Sequence, residues 1–423
     1  MRMPKNVLLV ADIGYASPYW LDYCRVLQND FGFEVKVLSP KMNYWQRKFF
    51  DVRKAGSVEI IETATFPMFY RRLQGMPRYL RHIVNFTSHA KRRLLDLLPG
   101  DRLISQNFTH RDWVPLALAQ ALELNKSWKI DIVVSTCLPF ETHEIANELH
   151  SLNSVPWIAD YRDPYSFSHT RKTPTETEVI EYEKKVISSA SACTTTSVGF
   201  SKAIEKVYKG PIHVIHNGFD ELNVNLKKSL RFPIEILYQG SIYQDYQDVS
   251  IALEALDLFY ESRPNQNGDL PIKITFGGFS THVIDDFYSR NSRALPPWVK
   301  LQGVLDFKST QALQQSADFL LLLNWEDFSQ PGVMQTKLYE YISSGTPIIS
   351  TGGSSRDETS EILLSTNTAK HFEDSTTLAH FFFKLVQNLR IEYSPDYLEI
   401  IKYSRRSQAG QLAQVINCLS ESQ

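Results

Sequence analysis

Cysteine is scarce and dispersed. The sequence of 423 residues holds four, Cys24, Cys137, Cys193 and Cys418, and no two of them form a C-x-x-C pair or a metal-ligand spacing. Neither a disulfide framework nor a cysteine-based zinc site is encoded, and reduced core thiols are the expectation. Long hydrophobic runs are missing too. No apolar stretch approaches the roughly 18 residues of a membrane span, and the first apolar run, Val7 to Ala11, turns polar at Asp12, which is too short for a secretory signal. A cytoplasmic location is expected. Charge of one sign is not in excess either: 45 Lys and Arg face 47 Asp and Glu, a formal net charge of -2, so no whole-chain electrostatic argument points to nucleic acid. Absent as well are G-x-x-x-x-G-K-[ST], H-E-x-x-H and a G-x-G-x-x-G after the first strand, which speaks against a P-loop NTPase, a zincin and a dinucleotide-binding domain. No acidic D-x-D motif occurs apart from the separated Asp160 and Asp163; a reaction without a metal or resident cofactor is expected.

What is present is a regular alternation. Hydrophobic residues make up 43% and charged residues 22%, enough for more than one buried core. Short β-branched or leucine-rich runs recur at Asn6 to Ala11, Glu34 to Leu38, Glu59 to Ile61, Ile132 to Ser135, Trp157 to Asp160, Ala192 to Thr196 and Ile212 to Ile215. Helical periodicity lies between most of them, at Trp20 to Asn29, Pro77 to Leu98, Trp113 to Asn125, Glu141 to Leu152, Thr175 to Ser188 and Phe200 to Tyr208. A second series of runs begins at Glu235 to Gln239 and continues at Ile272 to Phe276, Val299 to Leu301, Phe319 to Leu323, Pro347 to Ser350 and Thr368 to His371. Strands alternating with helices indicate parallel, doubly wound α/β sheets. Between the two series, Asn217 to Pro233 opens with an Asn-Gly turn and has no apolar periodicity, as a linker would. The sequence therefore predicts one Rossmann-like domain over 1–218 and a second over 219–395, with the helical segment 396–423 packing back on the first. Ligands of such sheets bind at the C-terminal ends of the strands, and a central cleft between the domains is the expected site.

One stretch interrupts the pattern. Lys41 to Arg93 is rich in aromatic and basic residues, including Trp45, Phe49, Phe50, Arg71, Arg72, Arg78 and Arg81, with only Asp51, Glu59 and Glu62 as acids. Two readings stand side by side: a solvated basic face, or a surface for anionic lipid headgroups or a lipid-diphosphate acceptor at the inner face of a membrane.

Two segments carry candidate chemistry. Residues 332–350, GVMQTKLYEYISSGTPIIS, read as a loop, a short helix starting near Gln335, a glycine stop at Gly345 and a buried strand. A helix N-terminus presents unpaired N–H groups and the positive end of a dipole, which suits a diphosphate. Lys337 in the first turn is unfavourable there without an anion; Glu340, one turn on, could accept both hydroxyls of a ribose. The other segment joins VSTCLPFETH (134–143) to PWIADYRDP (156–164). Three charges within four residues after an apolar strand are costly to bury without partners or purpose. Asp160 or Asp163 could orient or deprotonate an acceptor hydroxyl, Arg162 could pair with a carboxylate or phosphate, and His143 could donate to a transferred sugar. The competing readings are an Asp163 helix cap, an Arg162–Asp160 structural ion pair and a solvated His143.

These segments resemble glycosyltransferase family 4, bacterial retaining enzymes of the GT-B fold. Glu340, Gly345 and Pro347 match the second half of that family's signature; its first glutamate would fall at Gly332. The S-x-P-x-x-x-x-H and W-x-x-D-x-R-D pair resembles a large branch of the family, and Gly14 matches its N-terminal glycine loop. Gly240 and Ser241 stand where the family approaches the donor phosphates with a glycine and an arginine, and Gln247 stands where it has a lysine. The resemblance implies donor binding by Gly14, Gly240, Ser241, Gln335, Thr336, Lys337 and Glu340, with Glu340 on the ribose. It further implies hexosyl transfer from a nucleoside diphosphate sugar to a glycan or lipid-linked acceptor, with retention of configuration, in surface polysaccharide biosynthesis. A nucleotide-sugar epimerase on the same scaffold and a non-catalytic binding subunit are the alternatives, the latter motivated by Gly332, Ser241 and Gln247.

Overall fold

The computed structural model describes residues 5–14, 19–42, 56–63, 113–168, 177–224, 229–263, 270–290, 292–305, 307–326, 332–354 and 356–421. The expected helix Pro77 to Leu98 lies outside these residues, as does the basic and aromatic stretch, apart from 41–42 and 56–63. The chain divides into two compact units, one of residues 1–216 with 405–423 and one of residues 217–404.

The first unit is built on seven strands: β1 (Asn6–Val10), β2 (Glu34–Pro40), β3 (Glu59–Thr63), β4 (Ile132–Cys137), β5 (Trp157–Tyr161), β6 (Ala192–Thr195) and β7 (Ile212–Val214). Their spatial order is β3-β2-β1-β4-β5-β6-β7, and every pair is parallel. Leu9 sits opposite Val37 on one side and Val134 on the other. A parallel strand covered on both faces reads as a continuous apolar run, and Val7 to Val10 obey this: Val7 and Leu9 enter one core with α1 (Tyr19–Phe31), while Leu8 and Val10 enter the opposite one with α2 (Trp113–Ser127) and α3 (Glu141–Asn153). Also on this unit are α4 (Thr177–Ile187) and α5 (Val198–Ile204).

The second unit has six parallel strands, β8 (Ile234–Gln239), β9 (Ile272–Gly277), β10 (Val299–Gln302), β11 (Phe319–Leu323), β12 (Ile348–Thr351) and β13 (Ala369–Phe372), in the order β10-β9-β8-β11-β12-β13. Interleaved with them run α6 (Ser250–Glu261), α7 (His282–Arg290), α8 (Phe307–Ser316), α9 (Thr336–Ser343), α10 (Glu358–Thr366) and α11 (Ser375–Asn388). Leu253, Leu256 and Phe259 of α6 share one core with Phe382 and Leu385 of α11; Leu338, Tyr341 and Ile342 of α9 share the other with Leu320 and Leu322. In both sheets the strand order reverses at the first strand, at β1/β4 and at β8/β11, and ligands of open α/β sheets collect at the C-terminal side of such a switch point.

Two boundaries differ from the sequence reading. The polar stretch 217–233 is anchored within the second unit, because Phe219 and Leu230 are buried in its cores and the Asn223 amide donates to Ser343 O at 2.8 Å. The short helix α12 (Tyr397–Ile400) also stays with the second unit; the return to the first begins at α13 (Arg405–Glu421). Arg405 and Arg406 of α13 reach Asp22 and Asp30 of α1 at 2.7 and 2.8 Å. Among the described residues no helix is long and apolar enough to cross a membrane.

Candidate functional site

In the second unit the segment after β11 forms as its sequence predicts. Gln335 caps α9 with extended backbone, Gly345 turns the chain at φ +77°, and β12 starts just beyond Pro347. Thr336, at the first position, is exposed, and Glu340 is half-buried one turn on. Lys337 points back onto β8. Its Nζ donates to the Tyr238 hydroxyl at 2.6 Å and lies 3.5 Å from the Ser241 carbonyl, to which Tyr238 also donates at 2.7 Å. The ammonium sits 4.1 Å from the centre of the Tyr238 ring, within cation–π range. Burial brings its pKa down to about 7, against the pull of the Glu340 carboxylate.

Gly240 makes this approach possible: with φ at +128°, a Cβ there would stand 2.9 Å from Lys337 Nζ. The next strand is as tightly fitted, because a Cβ on Gly278, at φ +131°, would stand 2.3 Å from the Gly240 carbonyl oxygen. Gln247 is a brace. Its amide donates to Leu323 O at 2.8 Å and to Gln335 Oε1 at 2.9 Å, while its own oxygen accepts from the Tyr243 amide at 3.0 Å. Gln335 in turn donates to Leu323 O at 2.7 Å. The start of α9 is thus tied to the end of β11 and to the loop after β8 by neutral amides.

Three further polar groups converge at these strand ends. Gln239 closes β8, Asn324 follows β11 and Thr351 closes β12; all three are buried, and Gln239 Oε1, Asn324 Oδ1 and Thr351 Oγ1 carry no hydrogen bond. Buried polar atoms with unused hydrogen-bonding capacity at the ends of three neighbouring strands are able to accept from a polar ligand or an ordered water. Sequence reading missed this trio, together with Tyr238 and the glycine pair Gly352-Gly353 that follows Thr351. A polar residue ending each apolar run was the available signal.

In the first unit β5 delivers Asp160, fully buried, to the centre of a saturated network. Arg162 grips its carboxylate in two-pronged fashion, Nε to Oδ2 at 3.0 Å and Nη2 to Oδ1 at 2.9 Å, and the hydroxyls of Thr136 and Thr194 donate at 2.8 Å each. Arg162 also donates to Ile215 O at 3.4 Å and lies over the rings of Trp20 and Tyr23 at 5.3 and 5.8 Å. Such a carboxylate is built to hold a guanidinium in place. Asp163 stands half-buried on the loop after β5, and the described residues that follow it directly, 164–168, form bends and a turn and no helix for it to cap. His143 is not solvated. It is fully buried, with Nδ1 paired to Ser135 Oγ at 2.7 Å, its ring among Phe140, Trp157 and Tyr161, and Nε2 without a partner. Burial alone drops its pKa to about 3, so the imidazole is neutral. Gly14 lies at the C-terminal end of β1, where its amide donates to Asp12 Oδ1 at 3.0 Å. The structure thus brings Asp160 and Arg162 into contact in one unit and gathers Gly240, Ser241, Gln335 and Lys337 in the other.

No model of a known protein family and no curated protein matches the chain. Solved structures do. Sucrose-phosphate synthase of Thermosynechococcus elongatus aligns with a TM-score of 0.61 at 12% identity, over 99% of this chain and all of that one. The N-terminal domain of Candida albicans trehalose-6-phosphate phosphatase aligns at 0.57 and 13% identity, over 99% and 97%. The pneumococcal O-GlcNAc transferase GtfA, in complex with UDP and GlcNAc, aligns at 0.56 and 10% identity, over 98% and 99%. The fold is that of the GT-B glycosyltransferases: two parallel α/β sheets in Rossmann-like order. Because a domain of a phosphatase shares it, the reaction must be argued from the residues.

Proposed function

We propose that the protein is a glycosyltransferase whose second unit binds a nucleoside diphosphate sugar. The reading is carried by one observation: the ammonium of Lys337, seated at the start of α9 against the Cβ-less Gly240. An anion there meets the N–H groups of a helix start, a cation whose own carboxylate neighbour lies one turn away, and the backbone of the Gly240-Ser241 turn. The diphosphate rests at this point, with Gln335, Thr336 and Lys337 around it and the ribose hydroxyls on Glu340. In the reaction these groups stabilise the charge that develops on the departing diphosphate, already oriented before the bond breaks. The Gln247 and Gln335 amides keep the helix start in place against the end of β11.

The first unit supplies the acceptor side. Asp160 positions Arg162, which meets a phosphate or carboxylate of the acceptor, and Asp163 orients the attacking hydroxyl. His143 supports the strand ends from within the core. The acceptor is a glycan or lipid-linked saccharide, the transferred unit a hexose, the outcome retention, and the pathway surface polysaccharide assembly; these finer points rest on the resemblance of the D-x-R-D and T-K-x-x-E segments.

A binding screen of UDP, GDP and dTDP and their hexose conjugates, followed by product analysis with lipid-linked saccharides, tests the reading. Release of free nucleoside diphosphate only when acceptor is present is the expected result; an altered sugar without acceptor, or binding of none of the nucleotides, overturns it.

A further inference from the structure

The second unit contains a cavity of about 420 Å³, lined by Tyr246, Gln247, Asp248, Phe287, Arg290 and Glu326 among others. That size lies within the range of small-molecule sites, roughly 300–1,000 Å³. It adjoins the start of α9, because Gln247 forms part of its wall and also donates to Gln335. Its chemistry differs from that of the Lys337 corner. The lining holds three carboxylates, Asp245, Asp248 and Glu326, against the single guanidinium of Arg290. An excess of carboxylate repels phosphate and offers acceptors to hydroxyls. Aromatic surface stands beside it: Phe287 lines the cavity, and Tyr246 lies stacked on Trp325 at 4.4 Å and 17°.

Glu326 is the best placed of the three acids. Its amide is fixed by a 2.9 Å bond to Tyr246 O, and its carboxylate is cradled by the glycine pair at the end of β12. A Cβ on Gly352 would stand 2.5 Å from Oε1, and both glycines have positive φ, +71° and +72°. The only hydrogen bond to this carboxylate among the described residues is a long one, 3.4 Å from the Gly353 amide. Asp248, by contrast, is occupied by the amide and hydroxyl of Ser250 at 2.7 and 2.6 Å. Burial raises the Glu326 carboxyl above its usual range, with Asp248 adding to the shift and the Gly353 amide opposing it.

We infer that this cavity receives the sugar of the donor as a neutral pyranose, and that Glu326 is the residue that accepts its hydroxyls and turns uronic acids away. The inference rests on the reading of the second unit as a nucleotide-sugar site. A pyranose has an apolar face for the aromatic wall and a rim of hydroxyls for Glu326. A uronic acid would add a further carboxylate to Asp245, Asp248 and Glu326, where like charges repel.

Isothermal titration of the full chain with UDP and GDP, their glucose and mannose conjugates, and UDP-glucuronic acid tests this, in wild type and in Glu326→Ala and Glu326→Gln. The expected result is a neutral conjugate bound about tenfold tighter than its free nucleoside diphosphate, with the glucuronate conjugate no tighter than free UDP. Glu326→Ala should reduce the neutral conjugate to the affinity of the nucleoside diphosphate and leave the latter unchanged, while Glu326→Gln should narrow the gap between glucose and glucuronate. A sugar increment that survives intact in Glu326→Ala, with circular dichroism showing a native fold, overturns the inference but leaves donor binding standing. Absence of binding by every nucleotide overturns both.

Discussion

The ammonium of Lys337 shares a single phenol with itself twice over: it donates to the Tyr238 hydroxyl at 2.6 Å and lies 4.1 Å from the centre of the same ring. The pair places a half-desolvated cation where an anion is expected, and with a pKa near 7 that cation is only partly charged at neutral pH.

Nucleoside diphosphate affinity should therefore depend on pH. Below pH 7 Lys337 is charged in the free protein and the affinity is level. Above it, binding must take up a proton, so affinity falls between pH 7 and 9 by at most about tenfold per unit. Lys337→Met should weaken binding and flatten the slope; titration calorimetry at four pH values in that window measures it. A level wild-type profile would refute the prediction. The same shift has a stability consequence of definite sign: from about pH 7 up to the ordinary lysine pKa, roughly 10.4, the unfolded chain holds more protons than the free folded one, and stability rises with pH.

The two glycines of positive φ just beyond β8 and β9 should respond differently to alanine. At Gly240 the new Cβ meets the mobile end of Lys337, whereas at Gly278 it meets backbone, the Gly240 carbonyl oxygen, at 2.3 Å. Both changes incur backbone strain of about 1–3 kcal/mol. Gly278→Ala should be the more destabilising in urea unfolding, and Gly240→Ala the more damaging to nucleotide affinity per unit of stability lost. Equal stability of the Gly278→Ala variant and wild type would contradict the geometry.

Removing the negative charge of Asp160 should deprive Arg162 of the carboxylate it holds in two-pronged fashion. Asp160→Asn is expected to lower stability by about 3–5 kcal/mol, as for other broken buried pairs. Thr194→Val, which deletes one hydroxyl from the same carboxylate, should cost about 1.5–3 kcal/mol. Chemical denaturation decides the matter: loss of activity in Asp160→Asn with stability intact would mean that the carboxylate acts on substrate directly.

His143 predicts an acid-labile core. Its folded pKa, about 3, lies below the ordinary value of 6.5, so its contribution is fully present above pH 6.5 and is lost as the pH falls toward 3. His143→Leu should be less stable at pH 7 by about 1–3 kcal/mol, since the Ser135 hydroxyl loses its short bond to the imidazole and keeps only the long one to Ile158 O, yet should lose less stability on acidification. Urea midpoints at pH 7, 5.5 and 4.5 compare the two; parallel curves would rule this out.

Much of this architecture is legible in the sequence. Runs such as Ile132 to Val134 and Phe319 to Leu323 can only be strands covered on both faces, and Gly345 with Pro347 marks the end of α9 and the start of β12. The site is less legible because its logic is nonlocal. Gln247 reads along the chain as a lost lysine; in space it joins the end of β11 and the loop after β8 to Gln335, 88 positions away. Phe219 sits in a polar stretch that looks like a linker until its burial is seen. Glu326 owes its place to Gly352 and Gly353, just beyond β12, and nothing adjacent to it announces that cradle.

The helix α13 completes the first unit from the far end of the chain: Ala409, Leu412, Ala413 and Ile416 fill the core around α1, and Gly410 passes close to Phe31. Domains ordinarily mature in the order of synthesis. Here the strands of the first unit cannot close their interior until α13, which follows the whole second unit in sequence, has been made, so the second unit is free to mature while the first still waits with an open flank.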